Sequence, residues 1–161
     1  MIGKRLFWQF YGTYLLITFI VLLAVSFYTS HSVRERFLEK TDNDLAAQAR
    51  LIRSQIAAAI EQQDYEQVDA LSKKLQTATD AHITVALPDG KVIADSKSRP
   101  WMIENLLNTP EMIIANTGRM GTDTRMDART EQKMRFVAVP FESAEDHFVI
   151  RTAIPLEFLD A

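Results

Sequence analysis

The chain has no cysteine and few residues that interrupt regular structure. Among its 161 residues there are no Cys, five Gly and five Pro. The absence of cysteine excludes a disulfide framework and a thiolate metal site, and it suits a bacterial exported domain that folds without oxidation. The sequence also has no low-complexity segment and no repeat. Its length beyond the first apolar segment, about 130 residues, suffices for one domain with one core.

Charge is missing from residues 6–33, although Asp, Glu, Lys and Arg make up 24% of the chain. Residues 6–28 are mostly large and apolar, and as a helix they span roughly 34 Å, enough to cross a bilayer. Two basic residues lie within residues 1–5, and those behind the run are offset by glutamates, so a cytoplasmic N-terminus is predicted. A cleaved signal peptide with an h-region at 15–25 is the alternative, but the apolar run begins too early for it.

Motifs for catalysis and metal binding are also missing. There is no Gly-x-Ser-x-Gly, no His-Glu-x-x-His and no phosphate-cradling glycine loop, and the three histidines lie far apart in sequence. We therefore predict no catalytic residue, no metal site and no cofactor in this chain. All 21 acidic residues but only 16 basic residues follow the apolar run, which argues against nucleic-acid binding.

Residues 29–80 predict a long helical segment. Residues 33–60 contain no Gly or Pro and are rich in helix formers, and a second helix is predicted over 64–79. An apolar stripe follows near-heptad spacing at Leu38, Leu45, Ala49, Ile52 and Ile56. This stripe packs either on the sheet of its own domain or on a partner helix, and we expect the second, a dimer seam.

Residues 81–155 predict a sheet domain. Residues 82–87 alternate apolar side chains, and Pro88-Asp89-Gly90 forms a turn to a second strand at 92–94. Further strands are expected at 122–126, 133–140 and 147–154, with short helices at 101–107 and 110–116. This order predicts an α+β fold with a five-stranded antiparallel sheet. Residues 156–161 are expected to enter another helix, which suggests that the chain is a fragment.

Six segments carry a family resemblance in combination, at 5–16, 44–51, 83–96, 107–112, 134–140 and 149–156. Three of them are Arg5-Leu-Phe-Trp-Gln-Phe-Tyr-Gly-Thr-Tyr-Leu-Leu16, Ile83-Thr-Val-Ala-Leu-Pro-Asp-Gly-Lys-Val-Ile-Ala-Asp-Ser96 and Val149-Ile-Arg-Thr-Ala-Ile-Pro-Leu156. The first resembles the start of the first transmembrane helix of bacterial two-component sensor histidine kinases, especially the phosphate-regulon sensor-like group. The other two resemble strands of the PAS-like extracytoplasmic sensor domains of the Cache or PDC group.

The resemblance implies a homodimer in the bacterial cytoplasmic membrane, with the sensor domain outside the cytoplasm. The sensor domain would relay the binding of a ligand or protein partner to a cytoplasmic kinase. ATP and Mg²⁺ are expected only for that kinase. None of the histidines is followed by the family's phosphoacceptor motif, so the chain itself holds no kinase activity. The alternatives are the same module on a chemoreceptor or diguanylate cyclase, and a membrane-anchored periplasmic interaction protein.

The resemblance also implies a ligand pocket between the sheet and the loop over it. Arg125, Arg135 and Arg151 fall on or near the last strands, where a guanidinium is placed to receive a carboxylate or phosphate. Trp101 and Asp95 complete the predicted ligand-binding residues. The alternative is that the arginines face solvent and pair with side chains on neighbouring strands.

Overall fold

The structure is a computed structural model, and the chain divides into two compact units, Met1–Lys40 and Thr41–Ala161. It describes the backbone of residues 3–142 and 147–156, and the side chains of residues 11–12, 14–26, 38–142 and 147–156. The predicted turn at 143–146 and the predicted helix entry at 156–161, apart from Leu156, lie outside the described residues.

Two helices come first in the chain, α1 (Gly3–Glu61) and α2 (Tyr65–Thr79). The turn between them uses Gln63 in the left-handed region, at φ 54°. The Asp64 side chain then accepts a hydrogen bond from the backbone N–H of Gln67 and caps α2. The helices predicted over 33–60 and 64–79 are confirmed.

The structure does not show a membrane span in the apolar N-terminal run. Among the residues whose side chains are described, no helix carries an apolar stretch long enough to cross a bilayer. The side chains at 6–10, 13 and 27–28, which belong to the predicted span over 6–28, lie outside the described residues. The span therefore stays a prediction.

A five-stranded antiparallel sheet forms the centre of the second unit, as predicted. Its spatial order is β2-β1-β5-β4-β3. The strands are β1 (His82–Ala86), β2 (Val92–Asp95), β3 (Gly121–Met126), β4 (Lys133–Glu142) and β5 (His147–Pro155). Helix α3 (Pro110–Ala115) begins with proline at its first position, where the missing N–H has no helical partner to lose.

The helix predicted over 101–107 is wrong beyond Met102. A 3-10 turn covers Pro100–Met102, and the next residue is extended. The backbone N–H of Leu106 donates to the carbonyl of Gly90, and the N–H of Leu107 donates to the side chain of Asn105. The first bond fixes the segment to the β1–β2 turn and the second is local, and neither is a helical backbone bond.

The two faces of the sheet are covered differently, because successive side chains of a strand point to opposite faces. The helix face carries Ile83, Val85, Val137, Val139 and Ile150, which form the main core with α1. The loop face carries Thr84, Phe136, Ala138, Val149 and Arg151, and it lies under α3 and its flanking loops.

The apolar stripe of α1 lies on the helix face. Leu45, Ala49, Ile52 and Ile56 are all buried in the main core. We therefore correct their assignment from a dimer seam to the core, because their apolar surface is already covered by the chain's own sheet. Leu38, the fifth residue of the stripe, is half-buried.

Candidate ligand-binding site

Helix α3 lies in direct contact with strand β3 and carries an acidic residue onto the loop face. A Cβ atom at Gly121 would lie 2.0 Å from the backbone oxygen of Glu111, so this close approach requires glycine. Met112 and Ala115 of α3 pack with Ala138 and other residues of the loop face. As a result the Glu111 side chain is fully buried between helix and sheet.

Two arginines from different strands meet at Glu111. Arg125 of β3 donates from Nη1 to Oε2 at 2.6 Å and from Nη2 to Oε1 at 2.9 Å, a bidentate pair. Arg125 Nη1 also donates to Asp123 Oδ2 at 2.6 Å. Arg151 of β5 donates from Nη1 to Glu111 Oε1 at the longer distance of 3.3 Å. One buried carboxylate is therefore shared by two guanidinium groups.

A cavity of about 400 Å³ opens over these arginines. Arg125, Arg151 and Phe136 line it, and the Phe136 ring centroid lies 4.0 Å from Cζ of Arg125 and 5.2 Å from Cζ of Arg151. Met102 and Met126 line the same cavity and are largely exposed, at 71% and 64%. The cavity thus combines a cationic head with apolar walls, and its volume suits a small molecule.

A polar network continues from Arg151 across the loop face. Arg151 Nη2 donates to Thr84 Oγ1 at 3.3 Å, and Thr84 Oγ1 donates to Asp95 Oδ2 at 2.8 Å. The same oxygen of Asp95 lies 2.8 Å from Nε2 of His82. Asp95 Oδ1 accepts the backbone N–H groups of Lys97 and Ser98, which fixes the loop behind β2.

The electrostatics of these groups follow from burial and pairing. Burial alone would raise the pKa of Glu111, but hydrogen bonds and the charges of Arg125 and Arg151 outweigh it and hold that pKa below its usual range. Asp95 behaves in the same way, with His82 and Thr84 lowering its pKa against burial. Burial lowers the pKa of Arg151, and the nearby charge of Arg125 adds to that effect.

The lowered pKa values predict a loss of stability in acid. A carboxyl with a lower pKa in the folded state contributes stability that is present above its unfolded pKa and lost as the pH falls through its folded pKa. We expect the free energy of unfolding to stay level from about pH 7 to 5 and to fall below about pH 4.5, near the pKa of unfolded Glu. Urea denaturation from pH 7 to 3 measures this.

Two variants test whether the loss of stability in acid comes from the buried carboxyl of Glu111. Glu111→Gln should make the fall below about pH 4.5 shallower, because the group that gains a proton is gone. Glu104→Gln, which changes an exposed side chain on the cavity wall, should leave the fall unchanged. An equal slope in wild type and Glu111→Gln would contradict the assignment.

The structure separates the five predicted ligand residues. Arg125 and Arg151 come together at the cavity. Asp95 is buried and reaches Arg151 only through Thr84. Trp101 lines a different cavity of about 640 Å³, beside α2 and β2, and is 75% exposed.

Arg135 lies on the opposite face of the sheet. Its Nε and Nη2 donate to the two carboxylate oxygens of Asp42 on α1, at 2.7 and 2.6 Å. Its Nη1 donates to Thr124 Oγ1 at 2.8 Å. The guanidinium thus holds α1 on the helix face of the sheet, and the cavity over Phe136 lies on the other side.

Sequence reasoning missed Glu111, Phe136 and the two methionines. Thr109-Pro110-Glu111 predicted a helix start, and an acidic residue in a first turn has a sufficient explanation in the helix dipole. The alternation of β4 placed Phe136 in phase with Met134 and Ala138, which is also the pattern of an ordinary core position. Only the spatial approach of α3 to β3 marks Glu111 as part of the site.

Comparison with known proteins identifies the fold. No protein-family model and no curated protein matches the chain. Among solved structures, it is similar to the ligand-binding domain of the Campylobacter jejuni chemoreceptor Tlp3 in complex with 4-methylisoleucine, at 17% identity and a TM-score of 0.61. That match covers 81% of this chain and 56% of the Tlp3 domain, so the chain spans just over half of it.

A second similarity covers nearly all of the other solved chain. A methyl-accepting chemotaxis protein from Vibrio parahaemolyticus matches at 11% identity and a TM-score of 0.60, over 81% of this chain and 99% of that one. At these identities the likeness concerns the fold. The α+β architecture predicted from the sequence is therefore confirmed, and it is similar to the fold of these two proteins.

Proposed function

We propose that the second unit is an extracytoplasmic sensor domain that binds a small carboxylate in the cavity over Arg151. One observation carries the proposal. The Arg151 side chain is 5% exposed, and among the described residues it donates only two side-chain hydrogen bonds, both of 3.3 Å. A guanidinium has five N–H donors, so Arg151 keeps donor capacity toward the cavity that it lines. A ligand carboxylate in the cavity would accept these hydrogen bonds.

The apolar walls indicate the other end of the ligand. Ile103 and Leu106 line the cavity beside the exposed Met102 and Met126. Methionine side chains adapt to apolar groups of different shape. A carboxylate with a short branched or aromatic body would pair its head with Arg151 and cover this apolar surface. The likeness to Tlp3, whose domain is in complex with 4-methylisoleucine, supports a ligand of this kind.

We propose that the domain belongs to a sensor histidine kinase of the bacterial cytoplasmic membrane. The support is the charge-free run over 6–33, together with the resemblance described above. The described side chains of this run, at 11–12 and 14–26, are exposed and mostly apolar. In this arrangement residues 6–28 cross the membrane, residues 1–5 are cytoplasmic and the sheet domain is periplasmic. The alternatives are a chemoreceptor, a diguanylate cyclase or a membrane-anchored interaction protein.

We also propose a homodimer that uses a second face of α1. Ala47, Leu51, Ser54 and Ala58 are exposed and follow a four-three-four spacing, and Leu51 is 67% exposed. Leu51→Lys should reduce the dimer fraction of the purified chain in analytical ultracentrifugation, whereas Arg50→Lys should not. A dimer that is unaffected by Leu51→Lys would place the interface elsewhere.

Isothermal titration of the full chain with isovalerate tests the proposed function. We expect saturable binding of isovalerate and none of isovaleramide, which lacks the charge. Arg151→Met should weaken binding by at least about tenfold, the loss of one charge-assisted pair. Arg119→Met, which changes an exposed arginine, should bind as wild type does. Equal binding by Arg151→Met and wild type would overturn the proposal.

A further inference from the structure

At the cationic end of the cavity, two guanidinium groups, of Arg125 and Arg151, face one fully buried carboxylate, that of Glu111. Both terminal nitrogens of Arg125 are engaged, by the two oxygens of Glu111 and by Asp123. Arg125 and Asp123 both lie nearer to solvent, with side chains 31% and 23% exposed. Arg151 shares Glu111 only through the longer contact. The two arginines and two carboxylates sum to no net charge, but both carboxylates pair closely with Arg125, so the positive end of the cluster lies at Arg151.

Among the described residues, no other charged side chain near this cluster is hydrogen-bonded to Arg151. Asp95 is paired with His82 and receives two backbone N–H groups. Glu104 and Arg129 line the cavity with exposed side chains of opposite sign, and Asp127 beside them is half-buried and accepts a hydrogen bond from Thr130. Glu111 is the carboxylate in direct contact with both arginines, and it therefore sets how much positive charge a ligand meets there.

We infer that Glu111 is a specificity-determining residue that restricts this site to monoanions, an inference that rests on the proposed function. Its fully buried carboxylate accepts hydrogen bonds from both Arg125 and Arg151, the two guanidinium groups that line the cavity. A dicarboxylate would bring its second charge against Glu111, and like charges in a desolvated site repel strongly. Replacing Glu111 with the isosteric Gln frees one guanidinium charge and converts the site to one for dianions.

Two acids with the same carbon skeleton measure this selectivity. Methylsuccinate is isovalerate with one methyl group replaced by a carboxylate, so the pair differs only in the second charge. The measured quantity is the ratio of the two dissociation constants, obtained by isothermal titration of the full chain. A residue that only supports the fold changes both constants together and leaves the ratio unchanged.

Three variants change, in steps, the net charge of the two arginines and their carboxylate partners. Wild type, in which Glu111 and Asp123 balance the two arginines, should prefer isovalerate. Glu111→Gln, with one more net positive charge, should shift the ratio at least tenfold toward methylsuccinate. Arg125→Gln should weaken binding of isovalerate by at least tenfold although Arg151 remains, because Glu111 is then free to pair with Arg151. The double variant Glu111→Gln/Arg125→Gln should return to the wild-type preference.

The outcomes separate the inference from the proposed function. A wild type that binds neither acid overturns the proposed function and the inference with it. A wild type that binds isovalerate, with an unchanged ratio in Glu111→Gln, overturns the inference alone. Should Glu111→Gln fail to fold, Arg125→Gln and the double variant decide: restored isovalerate binding in the double variant supports the inference, and loss of binding in both overturns it.

Discussion

Ile56→Ala should lower the free energy of unfolding of the chain by about 2–5 kcal/mol, the usual cost of removing a large aliphatic side chain from a core. Ile56 is fully buried in the main core, where α1 packs on Ile83, Val85 and Ile150. The truncated methyl groups leave a cavity that the rigid sheet fills only in part. Urea denaturation followed by circular dichroism measures the change.

Arg50→Ala is the control on the same helix. Arg50 is exposed on α1 and lies outside the proposed dimer face, so its truncation should change the free energy of unfolding by less than about 0.5 kcal/mol. The loss in Ile56→Ala should also be independent of protein concentration, because its contacts lie within one chain. If the loss of free energy of unfolding disappears as the protein concentration rises, Ile56 lies at a dimer interface instead.

Gly90→Ala should destabilise the chain by about 3 kcal/mol, the sum of a backbone and a steric cost. Gly90 has φ 82°, which L residues rarely adopt. A Cβ atom there would also lie 2.2 Å from Asn105 Oδ1 and 2.3 Å from the backbone nitrogen of Leu107. The segment that forms the cavity wall would have to move away from the β1–β2 turn, so the variant should also bind isovalerate more weakly.

Gly118→Ala separates the two costs. Gly118 has nearly the same backbone angle, φ 81°, but a Cβ atom there meets nothing within 4 Å. Its substitution should cost only the strain of the left-handed backbone, about 1 kcal/mol. Thermal unfolding of the two variants measures the difference. Equal losses would mean that the turn at Gly90 does not contact the 105–107 segment.

Most of the secondary structure follows from patterns within the sequence. The alternation at 82–87, the Pro-Asp-Gly turn and the proline at the start of α3 act over a few residues, and each appears where it was predicted. The segment at 101–107 differs because it bonds to residues distant in sequence: the Leu106 backbone N–H donates to Gly90, and the Asn105 side chain donates to the carbonyl of Asp89. No local pattern contains that information.

The site was predictable only in part, because the sequence does not reveal which face of a strand is covered by a helix. Arg125, Arg135 and Arg151 all fall on strands, but Arg135 lies in opposite phase to Phe136, its neighbour on β4, and therefore points to α1. The stripe of α1 fits a dimer seam and a sheet-packing face equally well, since both need apolar residues on one side. Tertiary contacts decide between these alternatives.

The side-chain resonances of the arginines test the central claim, that Arg151 receives a ligand carboxylate on the loop face, most directly. The full chain, labelled with nitrogen-15 in arginine, is titrated with isovalerate. We expect the guanidinium signals of Arg151 to shift and saturate with the binding isotherm, while those of Arg135, held by Asp42 on the helix face, stay in place. Unmoved Arg151 signals at saturating isovalerate would contradict the account.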